Sequence, residues 1–99
     1  MNDRRNVRVT DRFFQDLDDL LPAERTAQGT PSATDFLLYE IPRLIERLAI
    51  DFEINTIPVD GAPELRVLIT SGILVAFIAA YATLATDGAI DLVGLEIEP

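Results

Sequence analysis

Apolar and polar positions divide this chain into a helical first half and a strand-like second half. A short alternating stretch, Asn6–Val9, reads as a first strand. Phe13, Leu17, Leu20 and Leu21 then recur on one helical face, while Asp16, Asp18 and Asp19 fall mostly on the wet side. Thr10 is placed to cap this helix and Asp11 suits its positive end. Pro22 closes it, and Thr26–Pro31 is a loop. A second helical region begins at Ser32, which has capping-box spacing to Asp35. Leu37, Ile41, Leu44, Leu48 and Phe52 carry its apolar stripe. Pro42 removes one backbone donor and crowds the carbonyl of Leu38, which predicts a kink or a break into two helices. Asn55–Glu64 reads as a connecting loop.

The second half holds the longest uncharged run, twenty residues between Arg66 and Asp87. Its length matches a membrane span, but "TSG" at Thr70–Gly72 splits it into "LRVLIT" and "ILVAFIAAYATLA". Both pieces are rich in residues that suit a pleated, buried surface. Arg66 is the only cation beside the run, so no topology signal accompanies it and no membrane span is expected. "TDG" at Thr86–Gly88 predicts a tight type I′ hairpin, followed by a last strand, "AIDLVGLEIE". In that strand Ile90 and Leu92 have one parity, and Leu95 and Ile97 the other. A bulge at Gly94 brings both pairs to the core and leaves Glu96 and Glu98 in solvent. The expected fold is α+β, in the order β-α-α-β-β-β. An antiparallel meander, its central strand buried on both faces, carries two N-terminal-half helices on one face. A chain of 99 residues is expected to form one domain over positions 1–99.

Composition narrows the chemistry. Cys is absent, so there is no disulfide framework and no thiolate nucleophile; His and Lys are absent too. The opening residues contain no apolar signal-peptide core, and a cytoplasmic location is expected. The net charge is −9, although the first twelve residues hold four arginines against two aspartates. Such acidity opposes tight binding to a phosphate backbone and favours a basic protein partner. No phosphate loop, zinc spacing or nucleophile elbow is present, so neither a cofactor nor a metal is expected. Asp16, Asp18 and Asp19 are scattered by helix geometry and read as a solvated face.

The element order, "RFFQDLDDLLP" in the first helix, Arg66 opening a strand in "PELRVLI", and the meander "GILVAFIAAYATLATDGAIDLVGLEIE" resemble the RelE/ParE toxin superfamily. These are small bacterial toxins of type II toxin–antitoxin systems. The resemblance implies a toxin-like protein, checked by an antitoxin, that cuts mRNA at the ribosome or inhibits gyrase. It makes Arg66 and Tyr81 the catalytic candidates: Arg66 as the cation for developing phosphorane charge, Tyr81 as the acid. Arg8, Arg12, Arg43 and Arg47 are the RNA- or phosphate-binding candidates. The chain departs from the family in being strongly acidic and in lacking the Lys and His that RNA-cutting relatives use. Relatives often carry His-Arg and a Tyr near the C-terminus, where this sequence reads "LEIEP".

Each candidate also has a purely structural reading. Arg66 can cover apolar surface and pair with a carboxylate. Tyr81 can be a core aromatic with a bonded hydroxyl. Arg47 has i,i+4 spacing to Asp51, the spacing of a surface ion pair. A second function class therefore stands beside the toxin: a catalytically degenerate interaction module on the same fold. For either, the expected partner is an antitoxin-like protein with an apolar, relatively basic binding segment. A homodimer through the sheet is the other expected association.

Overall fold

The computed structural model describes residues 4–98; Asp3, counted above in the arginine-rich start, lies outside them. The elements are β1 (Val7–Val9), α1 (Asp11–Leu20), α2 (Ala33–Tyr39), α3 (Ile41–Ala49), α4 (Phe52–Asn55), β2 (Ile57–Val59), β3 (Ala62–Thr70), β4 (Phe77–Leu84) and β5 (Ile90–Glu98). The strands form one sheet in the order β1-β5-β4-β3-β2. The fold is α+β, with the helices in the N-terminal half and packed on one face. The meander β3-β4-β5 is antiparallel, as expected. β1 joins it in parallel beside β5, with Val7 opposite Ile90, so the sheet as a whole is mixed. No helix among the described residues is long and apolar enough to cross a membrane. The long uncharged run instead forms most of β3, a loop, and β4.

Local chemistry explains the helices. Thr10 caps α1 by accepting from the Phe13 N–H at 3.4 Å, and its hydroxyl donates to the Leu92 carbonyl at 2.6 Å. One residue thus starts the helix and fastens it to β5. The helix ends at Leu20 because Leu21, which precedes a proline, is extended. This turns Leu21 into the core and leaves Leu20 exposed, which separates two residues that the stripe had placed together. The Ser32–Asp35 capping box forms with both bonds at 3.0 Å. Pro42 does break the second helical region, and it stands in the first turn of α3. The break resets the phase: Phe36 rather than Leu37 becomes the fully buried residue of α2.

Glu40 sits at that break with no exposed surface. Its carboxylate accepts from the N–H groups of Ile73 (3.0 Å) and Leu74 (2.8 Å) and from Arg43 (3.1 Å). A buried carboxylate needs such donors, and here they come from the β3–β4 loop that "TSG" opens. Gly72 leaves the room: a Cβ there would lie 2.5 Å from Glu40 Oε2 and 2.6 Å from the Val75 carbonyl. Ile73–Ala76, expected to begin the central strand, belong to this loop.

Two further expectations need correction. Asn55–Glu64 is not all loop, because Ile57–Val59 forms an extra edge strand, β2, against β3. The β4–β5 connection is not a type I′ turn, because Gly88 has φ 87° but Asp87 does not share a positive φ. Gly88 N–H donates to the Ala85 carbonyl at 3.0 Å and Ala85 N–H to the Ala89 carbonyl at 2.8 Å. Only one left-handed residue is needed in this longer loop.

The bulge is where the strand phase placed it: the register slips between Tyr81/Ala82 and Gly94/Leu92, leaving Val93 extra. Ile90, Leu92 and Leu95 consequently all join the core with Phe13, Leu17, Leu44, Leu48, Leu68 and Ile78.

Candidate functional site

Every helix contributes to the core on the face of the sheet that carries Leu68, Ile78, Ala80 and Leu92. No helix among the described residues packs over the opposite face. Register assigns its rows: Ile57, Val67, Tyr81 and Gly94 lie in line, next to Ile69, Ala79 and Glu96, with Phe77 opposite Glu98 beyond. Ile57 and Ile69 are about half exposed, at 55% and 49%. The face is an apolar strip with carboxylates along its β5 side. Burial of β4 on both faces is therefore incomplete: Ile78, Ala80 and Ala82 face the helices, whereas on the open face Ala79 is buried but Phe77, Tyr81 and Thr83 are only half-buried.

Beside the bulge this face deepens into a cleft of about 630 Å³. Leu65, Val93 and Tyr81 of the sheet line it, together with Arg12 and Asp16 of α1. β1 stops at Val9, so α1 takes its place along the outer edge of β5. Asp16 Oδ2 accepts the otherwise free Leu95 N–H at 3.1 Å. Glu96 Oε1 accepts a hydrogen bond from the Tyr81 hydroxyl. That bond to a carboxylate, with burial adding to it, holds the Tyr81 phenol above its usual pKa. The group is a neutral donor at neutral pH, and its proton is harder to release than that of an exposed tyrosine.

Arg66 and Tyr81 lie on opposite faces. Arg66 is opposite Ala82, and Tyr81 is opposite Val67, so the sheet itself keeps the two apart. Arg66 points to the helix side. Its Nε donates to Thr56 Oγ1 at 2.7 Å, and Nη2 donates to the carbonyls of Thr56 at 2.9 Å and Glu53 at 3.1 Å. Its guanidinium also lies 5.9 Å from the Phe52 ring centre. It closes the C-terminal end of α4, where carbonyls lack intrahelical donors.

The other arginines are similarly distributed. Arg8 bonds both oxygens of Asp91, at 2.6 and 3.2 Å, and reaches Asp87 at 3.1 Å. Arg43 is held by Glu40. Arg47 bonds Thr70 Oγ1 at 2.8 Å rather than pairing with Asp51, which has left-handed backbone before α4. Arg43 and Arg47 share a shallow depression on α3 with Pro42 and Glu46, away from the cleft. Only Arg12 joins Tyr81 in one place. Among the described residues, no group of three or more acidic side chains is arranged to hold a metal.

The sequence pattern marks Asp16 and Glu96 only as solvent-facing residues. The single early signal for the cleft was the bulge at Gly94. Compared with protein-family models, with curated proteins and with solved structures, the chain matches none.

Proposed function

We propose that this chain is a protein-interaction module that docks a basic, apolar protein surface on the open face of its sheet. In terms of the RelE/ParE resemblance it is the catalytically degenerate alternative, located in the cytoplasm, and its partner is antitoxin-like. The observation that carries the reading is the open face itself, where Ile57 and Ile69 are exposed and Phe77 and Tyr81 half-buried around the buried Val67 and Ala79, with Glu96 and Glu98 along one side. Exposed apolar strips rimmed by charge mark docking surfaces. Charge selects the partner, since acidic groups steer a positively charged protein and repel another acidic one. Catalysis has less support. RNA cleavage needs an acid, a base and a cation around one phosphate. Here Arg66 is on the far face and Tyr81 donates to a carboxylate.

Two measurements test this. Induced expression in bacteria is expected to leave growth and protein synthesis normal at high levels of folded chain. Fluorescence anisotropy is expected to show binding of a peptide that alternates Leu or Val with Arg, weakening as salt rises. An otherwise identical peptide with Glu should not bind, and Ile69→Asp should abolish binding. Growth arrest relieved by Tyr81→Phe, with equal folded protein, would restore the toxin reading.

A further inference from the structure

We propose that the cleft beside the β5 bulge is an arginine-recognition subsite. It seats one arginine side chain of the partner, its guanidinium between Asp16 and Glu96 and against the Tyr81 ring. The proposal rests on the open face being a docking surface and names what that surface selects.

The first argument is electrostatic. Five of the eight arginines already face carboxylates elsewhere: Arg4, Arg5, Arg8, Arg25 and Arg43. Asp16 and Glu96 face none among the described residues, yet neither is loose. The Leu95 N–H fixes Asp16 through one oxygen, and the Tyr81 hydroxyl fixes Glu96 through one oxygen. Each keeps its second oxygen for an incoming donor. Acceptors already held in place lose little side-chain freedom when a ligand arrives.

The second argument is shape. The Tyr81 ring and Asp16 both border Gly94: a Cβ there would lie in ordinary contact with Tyr81 at 3.6 Å and Asp16 Oδ2 at 3.4 Å. One cleft thus gathers an aromatic ring, two carboxylates and the apolar side chains of Leu65 and Val93 in its lining. A planar guanidinium stacks on a ring and donates in two directions at once, and its three-carbon stem covers apolar surface. A lysine ammonium satisfies less of this geometry. An anion fits poorly, since the cleft offers one cation, Arg12, against two carboxylates. Arg12 stands at the rim without a carboxylate partner among the described residues and competes with the partner's arginine for the same oxygens.

The test is NMR on the whole chain, following the amides of Gly94, Leu95 and Glu96 during titration with N-acetyl-arginine N-methylamide. The lysine and citrulline equivalents and inorganic phosphate serve as comparators. Saturable shifts at these amides are expected, strongest for arginine and near zero for citrulline. Asp16→Asn and Glu96→Gln keep the oxygens that accept from Leu95 and Tyr81. Each is expected to weaken arginine binding about tenfold, the scale of one charge-assisted hydrogen bond. Arg12→Ala is expected to tighten it. Equal responses to arginine and citrulline would overturn the subsite. So would phosphate shifts that vanish in Arg12→Ala, which mark an anion site. A dimer dissolved by Glu96→Gln would make a second copy the occupant and overturn the partner assignment. The two proposals fail separately. If the basic peptide binds, is lost in Ile69→Asp, and is indifferent to Arg→citrulline replacement, the subsite falls and the docking face stands. If the arginine amide binds here but the peptide does not, the docking face falls.

Discussion

Arg66 shows how far a residue's type can stray from its role. An arginine opening a strand invites a phosphate, but its position two residues before buried Leu68 turns it to the helix side. There it meets two carbonyls and a hydroxyl that α4 leaves without donors. The expected result of Arg66→Ala is a loss of about 2 kcal/mol in urea unfolding, since buried Thr56 loses the donors to its hydroxyl and its carbonyl. Arg66→Lys should recover only part, because an ammonium cannot reproduce the planar fork. Unchanged stability would mean that the guanidinium is not a structural cap. Glu40 makes the complementary point. A glutamate between two helical stripes looks like a surface residue, yet it is the buried anchor of the β3–β4 loop. Neither contact is legible locally, because each partner lies ten or more residues away.

Elements are better recorded in the sequence, because caps, breaks and bulges are short-range chemistry. Thr10, the Ser32–Asp35 box, the Pro42 break and the Gly94 bulge all stand where the residues placed them. The start of α2 carries a pH dependence. Arg25 bonds both oxygens of Asp35 at 3.1 Å, and with the Ser32 N–H it lowers the carboxyl pKa to about 2 from 3.8. A carboxylate whose pKa is depressed on folding stabilises the fold above its unfolded value. That contribution disappears as pH falls through the folded value. Urea midpoints are therefore expected to fall between about pH 4 and about pH 2, and Asp35→Asn should flatten that fall. An identical pH profile in the variant would show that the Arg25 clamp does not form. Among elements the local pattern missed the separate α4, which left-handed Asp51 sets off from α3, and β2. Its three residues contain Pro58 and become a strand only because β3 pairs with them.

At the scale of the molecule, one covered face and one open face meet a net charge of −9. Two copies meeting open face to open face would bring Glu96 and Glu98 of each into one interface. Like charges there oppose the apolar gain. Sedimentation is expected to show a monomer at low salt. Association should rise only when salt screens the rim or when Glu96 and Glu98 are both changed to Gln. A salt-independent dimer would remove charge as the selector of partners. Local residue order is enough to specify the α+β class, the starts of α1 and α2 and the order of the meander strands. It also specifies that the long apolar run is interrupted. Those features depend on periodicity of 3.6 or 2 residues and on turn chemistry, which neighbours in the chain decide. Long-range pairing and packing alone turn Arg66 and Tyr81 apart, lay β1 parallel to β5, and gather Asp16, Tyr81 and Glu96 around one cleft. The physical reason is the pleat. One residue of register separates the two faces of a sheet, and register is fixed by long-range pairing that no local pattern contains.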